Sequence, residues 1–452
     1  CLLQFNQYHS YTVDEHTLRA VEALEGFDRD QGPLGTAYRK VKHKRLLHLA
    51  MILHDLGKGF ERDHSELGGE MAADVAVRLG LPAPQREALV FLVQKHLSLS
   101  RQALHRDLAD PELLARFSRD VGSPEWLRML YVLTAADISA VGPGAWTSWK
   151  AELLTELFER TLHILTGEPS KFREAEAIGQ VVQQVLETLR IRGTPDATLS
   201  GADLQRQADR LRDFPTHYLV ATAPQQIADD LAVIDRLAMD ASEPVVRGAF
   251  EPHSQTVEYR IITRDAVGSG LFSKICGALT AKGMQILAAS ICTTSDGAVI
   301  DSFRVTDADF AVPVPDFRLR EVEEAVRTVV LGGQSVEQLF QKHRRFLPRA
   351  ETQLLFREPT RVVIDNDSSE RSTVIEIFAH DRRGLLYAIA VALVELELSI
   401  CVAKIGTHVD QALDVFYVTD RGGGKVVDDT RLERIRTVLA ERIEDFERRG
   451  LS

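Results

Sequence analysis

Cysteine is scarce in this chain: there are four in 452 residues, Cys1, Cys276, Cys292 and Cys401, and none stands in a Cys-x-x-Cys spacing. That excludes a disulfide framework and a zinc ribbon, and it predicts a reducing compartment. Long apolar runs are missing too. No stretch approaches the roughly 20 residues that span a bilayer, and no signal-peptide pattern opens the sequence. The expected setting is cytoplasmic, with no membrane partner. The third absence is a basic excess. With 54 Lys and Arg against 66 Asp and Glu, the formal net charge is -12, which argues against a nucleic-acid-binding surface and for a partner met through a local patch. The chain also opens without Met and almost on top of its first motif, so upstream sequence is expected.

What is present can build several cores. A hydrophobic content of 44% over this length suggests about three domains. The most informative residues are His54 and Asp55, which interrupt the apolar run that begins Leu46-Leu-His-Leu-Ala-Met-Ile-Leu53. An imidazole and a carboxylate are costly to desolvate in such a run unless they are paired or hold a cation. One buried His–Asp hydrogen bond would satisfy the doublet alone.

Four further residues change the balance. His16 opens the helical pattern Leu18, Val21, Leu24 behind a Thr12/Glu15 capping box. His64 stands at an expected helix start, and His96 ends the amphipathic run from Ala88. Asp137 is a poor helix former among apolar neighbours from Leu130 to Ile138. Each is weak alone, but together they point to a metal cluster. His9, His43, His48 and His105 lack such a setting and are read as structural.

Helical periodicity, punctuated by Gly and Pro, runs through residues 1–165 and continues through 166–250 as a connector whose charged helices are expected to be mostly solvated. Beyond Pro252 the period changes to alternation and a repeat appears. Thr256–Thr263 and Ser372–Ala379 read as first strands, each followed by an Asp and a Gly-Leu that opens a helix: Asp265, Gly270, Leu271 and Asp381, Gly384, Leu385. Both copies end alike, in Asp301-Ser-Phe-Arg-Val-Thr-Asp307 and Asp414-Val-Phe-Tyr-Val-Thr-Asp420. The predicted order βαββαβ gives two ferredoxin-like α+β units, at 254–345 and 370–450. At each Gly-Leu, helix N–H groups could meet a carboxylate and the Asp an ammonium group; the alternative is a turn glycine and a capping Asp. The first copy is two residues longer there.

The ordered residues His16, His54-Asp55 and Asp137 resemble the signature of the HD phosphohydrolase superfamily, an all-α metal-dependent fold. His64 and His96 fall between the doublet and the last Asp, as in HD proteins that bind two metals. Tyr11-Thr-Val-Asp-Glu-His-Thr17, Asp63-His-Ser-Glu-Leu-Gly68, Leu133-Thr-Ala-Ala-Asp-Ile138 and Trp146-Thr-Ser-Trp-Lys150 are similar to the HD portion of the bifunctional uridylyltransferase/uridylyl-removing enzymes, which act on the nitrogen signalling protein PII. The similarity covers nearly the whole chain, and the two α+β units resemble a tandem pair of ACT domains.

The resemblance implies a multidomain protein: an HD domain at 1–165, a helical connector at 166–250 and the ACT pair. It implies that His16, His54, Asp55 and Asp137 hold one divalent ion and that Asp55 bridges to a second held by His64 and His96. A thiolate-free set of this kind suits Mg or Mn, with Fe also compatible. Asp55 and Lys58 are the implied catalytic residues, Lys58 stabilising phosphate charge; its other reading is an exposed helix-end cation. The implied reaction removes UMP from uridylylated PII, with the tyrosyl oxygen leaving. Glutamine is the implied effector, bound at Asp265, Gly270, Leu271, Asp381, Gly384 and Leu385. Full-length members carry an upstream nucleotidyltransferase domain that has no counterpart here, so uridylyl transfer is not assigned to these residues. Two other readings stand: a guanosine tetraphosphate hydrolase with an ACT domain, and a non-catalytic amino-acid sensor, which would need no metal cluster.

Overall fold

In the computed structural model, which describes residues 11–166, 174–192, 201–239, 243–264, 270–342, 359–408 and 411–449, the chain parts into two units, Cys1–Ser170 and Lys171–Ser452. The first is helical: α1 (Val13–Gly26), α2 (Pro33–Lys40), α3 (Lys44–Leu53), α4 (His64–Arg78), α5 (Ala83–Gln94), α6 (Ser98–His105), α7 (Pro111–Val121), α8 (Pro124–Val141) and α9 (Ser148–Thr166).

The local sequence explains where these helices start. Thr12 Oγ1 accepts the Glu15 N–H at 3.3 Å, and Asp63 accepts from Ser65 and Glu66 at the head of α4. Ser123 caps α8, with Pro124 in the first turn, where its missing N–H costs nothing. Helix α8 is apolar on nearly every side, and such a helix belongs in the middle of a bundle. Leu127, Leu130, Val132 and Leu133 are fully buried there, with Leu24 of α1 and Leu47 and Met51 of α3 in the same core. Each fully buried side chain of this kind contributes roughly 1.5–3 kcal/mol. Because α1 and α3 both pack on α8, His16, the residues just past Leu53 and Asp137 face a common point.

The second unit begins with α10 (Glu174–Arg192), α11 (Gly201–Arg212), α12 (Thr216–Ala221) and α13 (Pro224–Met239). The first repeat follows as β1 (Val245–Glu251), β2 (Thr256–Arg264), α14 (Leu271–Ala281), β3 (Met284–Thr293), β4 (Ala298–Asp307) and α15 (Asp316–Val330), with α16 (Val336–Lys342) after it. The second consists of β5 (Arg361–Asp365), β6 (Thr373–His380), α17 (Leu385–Glu395), β7 (Ser399–His408), β8 (Gln411–Thr419) and α18 (Asp429–Arg449). All eight strands form one antiparallel sheet in the order β1-β2-β4-β3-β7-β8-β6-β5. Among the described residues no helix is long and apolar enough to cross a membrane.

The α+β class agrees with the expectation, but the edge strand comes from elsewhere. It precedes the first repeat strand instead of following the second helix: β1 pairs with β2, and β5 with β6, antiparallel in register Val245↔Ile262 and Arg361↔Phe378. An antiparallel neighbour needs only a short reversal, which the segment between Glu251 and Thr256 supplies with Gln255 in a left-handed conformation. The edge position thus depends on pairing geometry and not on which side of the repeat the strand lies in sequence.

The helices read as solvated connector are also different. Val185, Leu211, Leu219, Ile227, Leu231 and Ile234 pack with Ile262, Cys292, Ala298 and Ile300 of the sheet. Val257, Tyr259 and Ile261 of β2, with Phe303 and Val305 of β4, point the other way into the core under α14, α15, α17 and α18. Strand side chains alternate between faces, so a strand apolar on both faces needs cover on both, and α10–α13 provide the second layer.

Candidate metal centre

His16 lies one turn into α1, and Asp137 lies in the last third of α8. The doublet is not inside a helix as its apolar run suggested: α3 ends at Leu53, His54 caps it, and Asp55 stands in the turn that follows. That turn crosses the start of α4 so closely that a Cβ on Gly57 would lie 2.2 Å from the His64 carbonyl oxygen. Glycine at this position lets Asp55 approach His64, the first residue of α4. His96 sits in the turn after α5.

The structure brings all six residues together. His16 Nε2 is 3.0 Å from Asp137 Oδ1, 3.3 Å from His54 Nε2 and 3.7 Å from Asp55 Oδ2. His54 Nε2 is 3.3 Å from Asp55 Oδ2 and 3.6 Å from Asp137 Oδ1, and His96 Nε2 is 3.9 Å from Asp55 Oδ1. The rings of His54 and His96, and of His96 and His64, have centroids 5.3 and 5.4 Å apart. Candidate ligand atoms within 4.8 Å of one another fall into two triads, His16–His54–Asp55 and Asp55–His64–His96, which share Asp55. Lys58 Nζ donates to Asp55 Oδ2 at 2.6 Å.

The ring orientations suit cation binding. His54 and His96 each direct Nδ1 at a backbone carbonyl, of Met51 and Val93, both at 2.7 Å. A donating Nδ1 leaves the lone pair on Nε2, aimed at the cluster, which is how protein contacts fix a histidine for a metal. His64 Nε2 is buried with no hydrogen-bond partner among the described residues. Nitrogen and oxygen donors without thiolate match a hard or borderline divalent ion, so these residues fit the group that the sequence implies.

The electrostatics agree. Burial opposes charge on His54, yet Asp55 and Asp137 outweigh it and push the imidazole up to about 10, so that without an ion Nε2 carries a proton, which a bound cation would displace to take up the lone pair. Burial would raise Asp55, but His54 and Lys58 hold it below the usual carboxylate range; Asp137 is likewise held low, by His16 and His54. His96, buried and facing the His54 charge, is lowered to about 4, and burial lowers His64 as well. One half of the cluster therefore attracts positive charge while the other keeps neutral imidazoles, both useful to metal ions. If two ions bind, His64→Ala and His96→Ala should each lower metal content towards one ion per chain; unchanged stoichiometry by elemental analysis in both variants would reduce the site to one ion.

The effector candidates divide. Asp265 lies outside the described residues. Gly270 and Gly384 are the N-caps of α14 and α17, with left-handed φ of 82° and 95°, and Leu271 and Leu385 open the helices. Asp381 and Gly384 line a cavity with Asp414 of β8. Sequence reasoning missed Asp414 and its counterpart Asp301, although an Asp at the same place in two strands was a usable signal, since strands disfavour it. His9 lies outside the described residues.

Residues 13–129 match the HD domain family, and residues 368–444 match the family described as the ACR family N-terminal ACT domain. Among curated relatives, the bifunctional uridylyltransferase/uridylyl-removing enzyme of Rhodospirillum rubrum is 36% identical over 97% of this chain and 46% of its own length. The enzymes of the same name from Azospirillum brasilense and Erythrobacter litoralis are 37% and 34% identical, each over 98% of this chain and 47% of their own length. The chain thus spans about half the length of the curated relatives it matches. With an HD region, an ACT region and a similarity that runs through both, the chain is similar over nearly its whole length to about half of the bifunctional uridylyltransferase/uridylyl-removing enzymes.

Proposed function

We propose that this chain hydrolyses the phosphodiester joining UMP to a tyrosine of uridylylated PII, under regulation by glutamine. The observation that carries the reading is the pair of ligand triads sharing Asp55 in a region that matches the HD family. In this reading residues 1–165 are the hydrolase domain, 166–250 connect it to the regulatory part, and 254–345 and 370–450 are ACT domains. Uridylyl transfer is not assigned to these residues, and the setting is the cytoplasm.

His16, His54, Asp55 and Asp137 would hold one divalent ion and Asp55, His64 and His96 another. Mg or Mn there would supply Lewis acidity and an activated water. The remaining chemistry falls to the chain. The His16 and His54 side chains are fully buried, whereas those of Asp137 and Lys58 are 12% and 19% exposed. A phosphodiester therefore reaches the cluster from the Asp137 and Lys58 side. Lys58, fixed by Asp55, puts its ammonium where a phosphoryl oxygen gathers negative charge, and a preorganised cation is most effective at that point. Asp55 positions Lys58 as well as serving both triads.

The test is release of UMP from uridylylated PII by this chain with Mn, beside guanosine tetraphosphate as a competing substrate. UMP release that is lost in Asp137→Asn, with bound metal reduced, is the expected result. Asn keeps the shape of Asp but not its charge. Full activity and full metal content in that variant would remove Asp137 from the site, and preferential hydrolysis of guanosine tetraphosphate would replace the proposed substrate.

A further inference from the structure

We infer that the solvent face of α3 and the turn after it are the docking surface for a protein substrate: an apolar stripe beside the metal centre takes apolar residues that flank the modified tyrosine, and a basic cluster at the head of the helix takes acidic residues of the same protein. This deepens the proposed function, and rests on it, by naming what separates a nucleotidylated protein from a free nucleotide as substrate.

Helix α3 buries Leu46, Leu47, Ala50, Met51 and Leu53. Its other face carries Arg45, Leu49 and Ile52 at the spacing i, i+4, i+7, and the same spacing continues to Leu56, the residue after Asp55. Leu49 is half-buried, but Ile52 and Leu56 are 49% and 43% exposed, and Phe60, two residues after Lys58, is 58% exposed. A helix lying on a core ordinarily turns polar side chains to water. Single exposed apolar residues are common, whereas three within nine positions, on the segment that holds His54, Asp55 and Lys58, form a patch that marks a contact.

Charge completes the surface. Arg39, Lys40, Lys42, Lys44 and Arg45 fall within seven residues that contain no acid, in a chain whose net charge is -12. Arg39 donates to the backbone carbonyls of Asp28 and Asp30, at 3.0 and 2.6 Å, which leaves its charge uncompensated, and Lys44 meets the Asp28 carboxylate only at 3.9 Å. Lys40, Lys42 and Arg45 are exposed and form no ion pair among the described residues. At about 1.5 Å of rise per residue, the run from Arg45 to His54 sets this cluster roughly 14 Å from the metal centre. A surface with the scissile bond at one end and a charge contact at the other suits a macromolecule, and the cluster selects an acidic one. A second copy of the chain is the weaker occupant, since seated on Leu56 and Phe60 it would crowd the side from which the phosphodiester enters.

The test compares UMP release from uridylylated PII with hydrolysis of the p-nitrophenyl ester of UMP, a small diester with the same uridylyl group and a phenolic leaving group. One variant combines Ile52→Ser with Phe60→Ala, and another combines Lys40→Glu, Lys42→Glu and Arg45→Glu. Each should lower kcat/KM for uridylylated PII about 30-fold, mostly through KM, and leave that for the small ester within about twofold. Added NaCl should slow the parent on PII and the charge-reversed variant much less. Undiminished turnover of the small ester also shows that a variant is folded and metal-loaded. Full activity of both variants on PII would overturn the inference and leave UMP removal in place; loss in one alone would keep that half of the surface and strike the other. Equal loss on both substrates would overturn it too, and would give Phe60 to the uracil ring. Self-association of the parent that is lost in the Ile52/Phe60 variant, with PII hydrolysis kept, would hand the stripe to a second copy. A parent that cleaves the small ester and leaves uridylylated PII untouched would overturn both this inference and the proposed substrate.

Discussion

Asp55→Asn is expected to cause the largest loss of activity of any single exchange in the metal centre, about 10³-fold in turnover, equivalent to roughly 4 kcal/mol in the barrier. Asp55 is the one residue common to both triads, and it also receives Lys58 at 2.6 Å. Losing its charge weakens both halves of the cluster and releases the ammonium from its fixed position. His64→Ala, by contrast, touches one half only. Metal content should fall in both halves for Asp55→Asn, and supplementing with excess Mn should restore little. Activity within tenfold of the parent, measured at saturating Mn, would show that Asp55 does not join the two halves.

The second large effect concerns stability, in the other unit. Asp301 is 1% exposed in β4, and its Oδ1 has no hydrogen-bond partner among the described residues. Burial pushes its carboxyl up from 3.8 to about 8. The acid is therefore protonated in the fold at neutral pH but ionised in the unfolded chain. A raised folded value makes a contribution that is complete below pH 4 and is lost as the pH rises towards 8. Asp301→Asn removes that dependence while keeping the shape. Between pH 5 and 8 the parent should lose on the order of 4 kcal/mol relative to the variant. Denaturant unfolding of the second unit at the two pH values reads this directly; a parent–variant difference that stays constant across the interval would mean that Asp301 ionises without cost.

These two aspartates mark how far the sequence could be read. Asp55 and Asp137 stood out because each breaks an apolar helical pattern, and the structure brings them into one cluster with His16, His54, His64 and His96. Their neighbours carried the signal. Asp301 and Asp414 broke a strand pattern equally, but each sits at the head of a motif that pairs in the sheet, so repetition drew attention to the fold and away from the carboxylate. The ends of elements were less legible. The apolar run through Leu53 suggested one helix through His54 and Asp55, whereas Gly57 and the close passage past His64 turn the chain there. Strand β1 was missed because its partner choice is a matter of pairing. The packed faces of α10–α13 were missed because charged residues on their outer sides masked a modest apolar stripe.

Within the sheet the repeats join through three residue pairs, Ala288↔Lys404, Ala289↔Ala403 and Ser290↔Val402, beside bulges at Ile286/Ala288 and Ile400/Val402. Elsewhere neighbouring strands share longer ladders, so within the sheet the repeats meet along a short seam, while beneath it α14 packs on α17 and one apolar core runs through both repeats. Each bulge adds local twist and sets the angle at which the repeats meet. A change of angle between the repeats therefore means repacking that common core as well as shifting three rungs.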